Sequence, residues 1–159
     1  MYWRGHVGLA LIAYAPFAAF ALGGGEPRLA IGGSLFAAAL ATLPDVDQLL
    51  PIPHRGPTHT VGFAAVVGVV AGGGVALASG TVVASQPAWA PLFVGGVATA
   101  SLCSHLAGDA ITPMGIRPLR PLSRVHFTLD LTPAKNPRVN VLFLSVGVLT
   151  LSVVIALSL

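Results

Sequence analysis

The stretch LPDVDQLLPIPHRGPTHT, Leu43 to Thr60, holds Asp45, Asp47, His54, Arg55 and His59 in a chain where only 8% of residues are Asp, Glu, Lys or Arg. Further on, SHLAGDAIT sets His105 and Asp109 four residues apart, which on a helix puts them on one face. His6 stands near the start. Neutral imidazoles and carboxylates are donors suited to zinc, manganese or iron. His6, Asp45, Asp47, His54, His59, His105 and Asp109 are therefore the candidate ligands of a divalent transition metal, zinc first, with manganese or iron as alternatives. This set exceeds what one four-coordinate zinc uses, so either two ions are bound or some residues orient the others. Two ions about 3.5–4 Å apart, bridged by a carboxylate, suit in-line attack on a phosphoester. Asp45, Asp47 and Asp109 are each candidates for that bridge.

Each fragment also has a simpler reading. Asp and Thr ahead of a helix are common caps, and Thr58 or Thr60 is placed to cap the helix that follows. His105 can serve as a hydrogen-bond partner for Asp109, whose insertion into a membrane helix costs on the order of 2.5–3.5 kcal/mol. The combination is specific where its parts are not.

The elements that must position these donors are membrane helices. Of the 159 residues, 55% are hydrophobic and 8% are charged, against roughly 25% charged residues in an ordinary soluble domain. Hydrophobic segments at Val7–Gly23, Leu29–Leu43, Val61–Gly80, Pro91–Ile111 and Val139–Leu159 predict an all-α integral membrane bundle of about five spans, forming one domain over residues 1–159. Leu29–Leu43 reaches only about 22 Å; it is short unless Leu49 and Leu50 extend it, and a re-entrant segment is the alternative. Glycines such as Gly68, Gly72 and Gly95 sit inside segments, where small residues let helices approach. The apolar start resembles a signal peptide in outline, but an uncleaved first helix fits the following segment better. Cys103, the single cysteine, excludes a disulfide framework and a thiolate cage.

Arg4, Arg55, Arg117, Arg120, Arg124, Lys135 and Arg138 fall on one side of a five-span topology and Arg28 on the other. The positive-inside rule makes the rich side cytoplasmic. All seven candidate ligands, and His126, fall on that same side, although only Lys and Arg were used to define it. The predicted location is the inner (cytoplasmic) membrane, multi-pass, with the metal site facing the cytoplasm. The basic residues are few and border a span, and no recognition helix or aromatic-basic surface lies outside the spans, which argues against nucleic acid as a partner. The loop Gly115 to Phe127 is read either as enforcing topology or as gathering anionic headgroups, with His126 more an interfacial bystander than a ligand.

The motifs LPDVDQLLP, HRGPTHT and SHLAGDAITPMGIRPLRP, with a histidine near the N-terminus, closely resemble the YdjM-like family of inner-membrane metal-dependent hydrolases over roughly Gly5 to Pro121. A more distant similarity is to zinc-dependent phospholipase C and P1-type nucleases. That similarity implies metal binding by His105 and Asp109 as a helical pair, with His6, Asp45, His54 and His59 as further ligands. Those enzymes use their first mature residue as a ligand, whereas Met1, Tyr2 and Trp3 precede His6 here, and only one H-x-x-x-D occurs. These departures point to one or two ions rather than three.

The leading expectation is a membrane-bound metal-dependent hydrolase of a phosphoester in a lipid or lipid-linked headgroup. Asp45, His54 and Arg55 are the expected catalytic residues: His54 as a ligand or general acid/base, and Arg55 as a bidentate holder of a phosphate oxygen. The partners are membrane lipid and an anionic lipid or lipid-linked phosphate substrate; the oligomeric state is left open. The alternative is a non-catalytic metal-binding membrane protein, such as a transporter, sensor or assembly factor.

Overall fold

A computed structural model describes residues 1–78 and 86–158. It contains helices α1 (Trp3–Gly23), α2 (Pro27–Leu40), α3 (Val61–Ala78), α4 (Ala90–Ala110) and α5 (Pro137–Leu157). Among the described residues there is no strand, only an isolated antiparallel bridge between Ile116 and Phe127. The expected ends of the third and fifth spans at Gly80 and Leu159 lie outside the described residues.

Five segments are long and apolar enough to cross a membrane, and the second of them is Pro27–Leu49. Its α-helical part stops at Leu40, shorter than the expected segment, and the reach is completed by a 3-10 helix, Leu43–Leu49. Pro44 has no N–H to offer an α-helix and restricts Leu43 before it, which accounts for the change of geometry here. The change matters because Asp45 and Asp47 lie on the tighter helix. Local chemistry sets the other ends: Pro27 and Pro137 occupy first helical turns, and the Asn136 side chain accepts from the N–H groups of Arg138 and Val139. Thr60 Oγ1 accepts from Phe63 N at 3.1 Å, so Thr60 caps the start of α3.

Helix α1 packs against α5, α2 and α4, and α3 packs against α4. Between α1 and α2 lies a core of Tyr14, Ala18, Ala30 and Ala37 with Phe93 and Val97 from α4. The Tyr14 hydroxyl donates to Ala30 O at 2.6 Å, and Ser101 Oγ donates to Ala37 O at 2.7 Å, which ties α2 to both neighbours. The α3–α4 contact is made by glycine: a Cβ at Gly95 would lie 2.8 Å from Gly68 O, and one at Gly72 would lie 2.6 Å from Pro91 O. Valines and leucines on the opposite face of α3, such as Val69 and Leu77, are exposed as lipid-facing side chains should be.

Candidate metal centre

In an up-and-down arrangement α1 begins, α2 ends, α3 begins and α4 ends at the same end of the bundle. His6 lies in the first turns of α1, Asp45 and Asp47 follow α2, His54 and His59 precede α3, and His105 and Asp109 close α4. The structure brings all seven together. Three overlapping sets each offer donor atoms within 4.8 Å of one another: His6, His105 and Asp109; Asp45, His59 and His105; Asp47, His54 and His59. These buried His and Asp groups could hold a metal ion.

The geometry separates the residues into those that face the centre and those that hold them. His105 Nδ1 donates to Ala41 O at 2.7 Å, and His59 Nδ1 faces Asp47 Oδ2 at 3.1 Å. Because a carbonyl and a carboxylate only accept, both imidazoles carry their proton on Nδ1 and, when neutral, a lone pair on Nε2. Those two Nε2 atoms lie 3.2 Å apart. Asp109 Oδ2 is 3.4 Å from His59 Nε2 and 3.6 Å from His105 Nε2. Asp45 Oδ1 is 3.7 Å and 3.9 Å from the same nitrogens. Four electron-rich atoms thus crowd one point. Ligands about 2.0–2.1 Å from a tetrahedral zinc are spaced about 3.3 Å from one another, so a small contraction of this set fits a divalent ion.

Unsatisfied polar atoms point the same way. Among the described residues, Asp109 Oδ2 and both ring nitrogens of His6 are buried without a hydrogen-bond partner, a costly condition that an ion would relieve. His6 stacks on His105 with ring centroids 3.6 Å apart, and its Nε2 is 3.6 Å from Asp109 Oδ1. Burial opposes charge on His59, but the carboxylates of Asp109 and Asp45 near Nε2 and of Asp47 at Nδ1 outweigh that and raise its pKa above the ordinary imidazole value of 6.5. A proton there performs, in part, the service a cation would.

Asp47 is fully enclosed and turned away from the centre. Its Oδ1 accepts from His54 Nδ1 at 2.9 Å, and its Oδ2 accepts from Arg55 N at 2.9 Å and Thr58 Oγ1 at 3.1 Å as well as facing His59. Asp47 therefore orients two histidines at once. His54 is 38% exposed and keeps Nε2 free of protein partners among the described residues. Arg55 is buried: NH2 donates to Asp109 Oδ1 at 2.7 Å, and NH1 donates to Thr112 Oγ1 at 3.0 Å and Gly115 O at 2.9 Å. The Met1 amino group also donates to Asp109 Oδ1, at 2.8 Å. His126 is exposed, donates from Nε2 to Met114 O and joins none of the three sets.

Sequence reasoning did not find Thr112, Ala41 O or Asn140. Thr112 Oγ1 donates to Asp109 O at 2.8 Å and receives Arg55, while Asn140 accepts from Tyr2 N at 2.9 Å and donates to Asn136 O and Ala134 O. Asn140 carried a usable signal as the polar residue at the start of an apolar span; a backbone carbonyl carries none. A cavity of about 620 Å³ opens on the site, with Asp45, His54, Arg55 and Asp109 in its wall and Lys135 at its margin.

The family model described as YdjM inner membrane protein matches residues 1–159. The chain belongs to that family and is a multi-pass membrane protein. No curated protein and no solved structure gives a match.

Proposed function

We propose, for a chain that belongs to the YdjM inner membrane protein family, a metal-dependent hydrolase that cleaves a phosphoester in an anionic lipid or lipid-linked headgroup at the cytoplasmic face. The observation that carries this reading is the inward convergence of His59 Nε2, His105 Nε2, Asp109 Oδ2 and Asp45 Oδ1 beside a cavity that opens outward. His59, His105, Asp109 and Asp45 would hold the ion, with His6 beside them and Asp47 behind. A divalent ion bound there supplies Lewis acidity toward a phosphoryl oxygen and acidifies water toward neutral pH.

The protein's own groups divide the remaining work. His54, fixed at Nδ1 by Asp47 and lining the cavity, can hold or release a proton at Nε2. Lys135 at the cavity margin attracts an anionic substrate. Arg55 already grips Asp109, so its first task is to position that carboxylate; in the expected role on phosphate it would have to share its guanidinium. The gathering of donors at the basic end of the spans supports the cytoplasmic orientation.

The experiment is a metal-dependent phosphoester assay on purified protein in lipid, with lipid, lipid-linked and soluble substrates. Metal-dependent turnover that is lost in Asp45→Asn and reduced in His54→Gln is the expected result. Tight metal binding with no turnover of any substrate would instead identify a non-catalytic metal-binding membrane protein.

A further inference from the structure

A second cavity, of about 590 Å³, lies on the far side of the turn that carries His59. Its walls are Pro57, Thr60, Arg120, Pro121 and Arg124, and it shares no residue with the cavity over the metal centre. We propose that this pocket binds the phosphate headgroup of an anionic membrane phospholipid, as a site separate from the metal centre.

Charge is the first reason. Asp45, Asp47 and Asp109 are committed to the metal centre, so Glu26 and Asp130 are the chain's other carboxylates. Neither Arg120 nor Arg124 makes an ion pair or side-chain hydrogen bond among the described residues. Two unpaired guanidinium groups lining one concavity form a receptor for a phosphodiester, which each can bind in a forked geometry.

Position is the second reason, and it selects a lipid over a soluble anion. The N–H of Val61, the first residue of α3, donates to Pro118 O at 2.9 Å, which fastens the loop to the end of a membrane-length helix. The pocket therefore sits at headgroup depth. Around its arginines the loop exposes Leu119, Leu122, Val125 and Phe127, with Leu122 94% accessible. Such side chains are unfavourable in water but suited to the boundary between headgroups and acyl chains, where arginine stems also lie along apolar surface. A lipid phosphate in the pocket would have its chains directed into the same layer.

Native mass spectrometry of the detergent-purified full chain, titrated with phosphatidylglycerol or phosphatidylcholine, tests this without depending on turnover. Phosphatidylglycerol should be retained in preference, and R120Q/R124Q should weaken its retention about 25-fold, at roughly fivefold per arginine near a membrane surface. R117Q, in the same loop but outside the pocket wall, should retain it as the unaltered protein does. Both altered residues are exposed, so an unchanged gel-filtration profile establishes that the variant is folded. Equal retention of phosphatidylcholine, or undiminished phosphatidylglycerol on R120Q/R124Q, would overturn the proposal. Displacement of the lipid by an equal concentration of inorganic phosphate would overturn it too, in favour of a soluble-anion site. Because lipid retention and phosphoester turnover are measured separately, failure here leaves the hydrolase reading standing, and the converse holds.

Discussion

His59 and His105 present Nε2 atoms to one another across 3.2 Å, and each ring is held in that pose from behind, by Asp47 and by Ala41 O. Two neutral imidazoles so oriented repel, and a cation between them removes the repulsion. Protein purified without chelator should contain about one or two transition-metal ions per chain. His59→Ala and His105→Ala should each lower that content, measured by inductively coupled plasma mass spectrometry. Chelation should lower Tm and added zinc restore it, since a ligand present at about 100 times its Kd stabilises by about 2.7 kcal/mol. Metal-free protein whose Tm ignores zinc would sink the assignment.

Protons compete for the same position. With the His59 pKa above 6.5, metal binding at pH 6 must expel a proton. Apparent affinity should fall as pH drops through that pKa, by about tenfold per pH unit for one proton. In metal-stripped protein the sign reverses: the proton on His59 stabilises the fold below pH 6.5, and that contribution is lost as pH rises through the folded pKa. His59→Gln should flatten both dependences in isothermal titration and in thermal melts.

Asp47 and Asp45 should behave differently although they are two residues apart. Asp47 holds histidines and Asp45 faces the point between the two Nε2 atoms, so Asp47→Asn should weaken zinc by about 10–100-fold through lost orientation of His54 and His59. Asp45→Asn replaces an anionic donor by a neutral amide and should abolish turnover even at saturating zinc if the proposed hydrolase reading holds. Full zinc affinity in Asp47→Asn would show that the histidines need no support.

Arg55 is tied to Asp109 with both side chains largely buried at the wall of the cavity. Arg55→Met strips the carboxylate of its guanidinium partner while the Met1 amino group remains on the same oxygen, so the cost should stay below the roughly 3–5 kcal/mol of a fully broken buried pair, read as a fall in Tm of the metal-free protein. Arg55→Lys keeps the charge without the fork to Thr112 and Gly115 and should fall between. A Tm unchanged in both would mean that the pair contributes nothing to the fold.

The packing of α3 reaches the centre from a distance. A Cβ at Gly95 would meet the backbone of Gly68, whereas one at Gly73 or Gly74 would meet nothing within 4 Å. Gly95→Val should therefore destabilise by about 1–3 kcal/mol and reduce metal content, because His59 stands just ahead of α3. Gly73→Val should do neither. The pair of variants can be compared by thermal melt and metal analysis.

The spans and the ligand cluster were legible because both are statements about where charge is absent. Hydropathy located the five membrane-length segments, and the scarcity of ionisable residues made His6, Asp45, His59, His105 and Asp109 conspicuous. What the sequence left undecided depends on direction. Asp45 and Asp47 look alike in DVD, and only the 3-10 helix places one toward the Nε2 atoms of His59 and His105 and the other behind His59. Nothing in HRGPTHT tells that the Arg55 side chain lies on Asp109. Ala41 O is invisible to any residue-type argument because every residue has a carbonyl. The basic loop could be read two ways, and its pocket emerges only when Arg120 and Arg124 are brought against Pro57 and Thr60.

Arg55 has a left-handed backbone, φ 56°, which costs a non-glycine residue energy and persists only where surroundings impose it. In that conformation its own N–H reaches Asp47 while its guanidinium reaches Asp109. One residue thus clasps carboxylates that arrive at the end of the second span and the end of the fourth. The contact to Asp47 is local, within one connection, whereas the contact to Asp109 joins segments far apart in the chain. Asp109 therefore gains its guanidinium partner only once the end of the fourth span has docked beside the turn that follows the second.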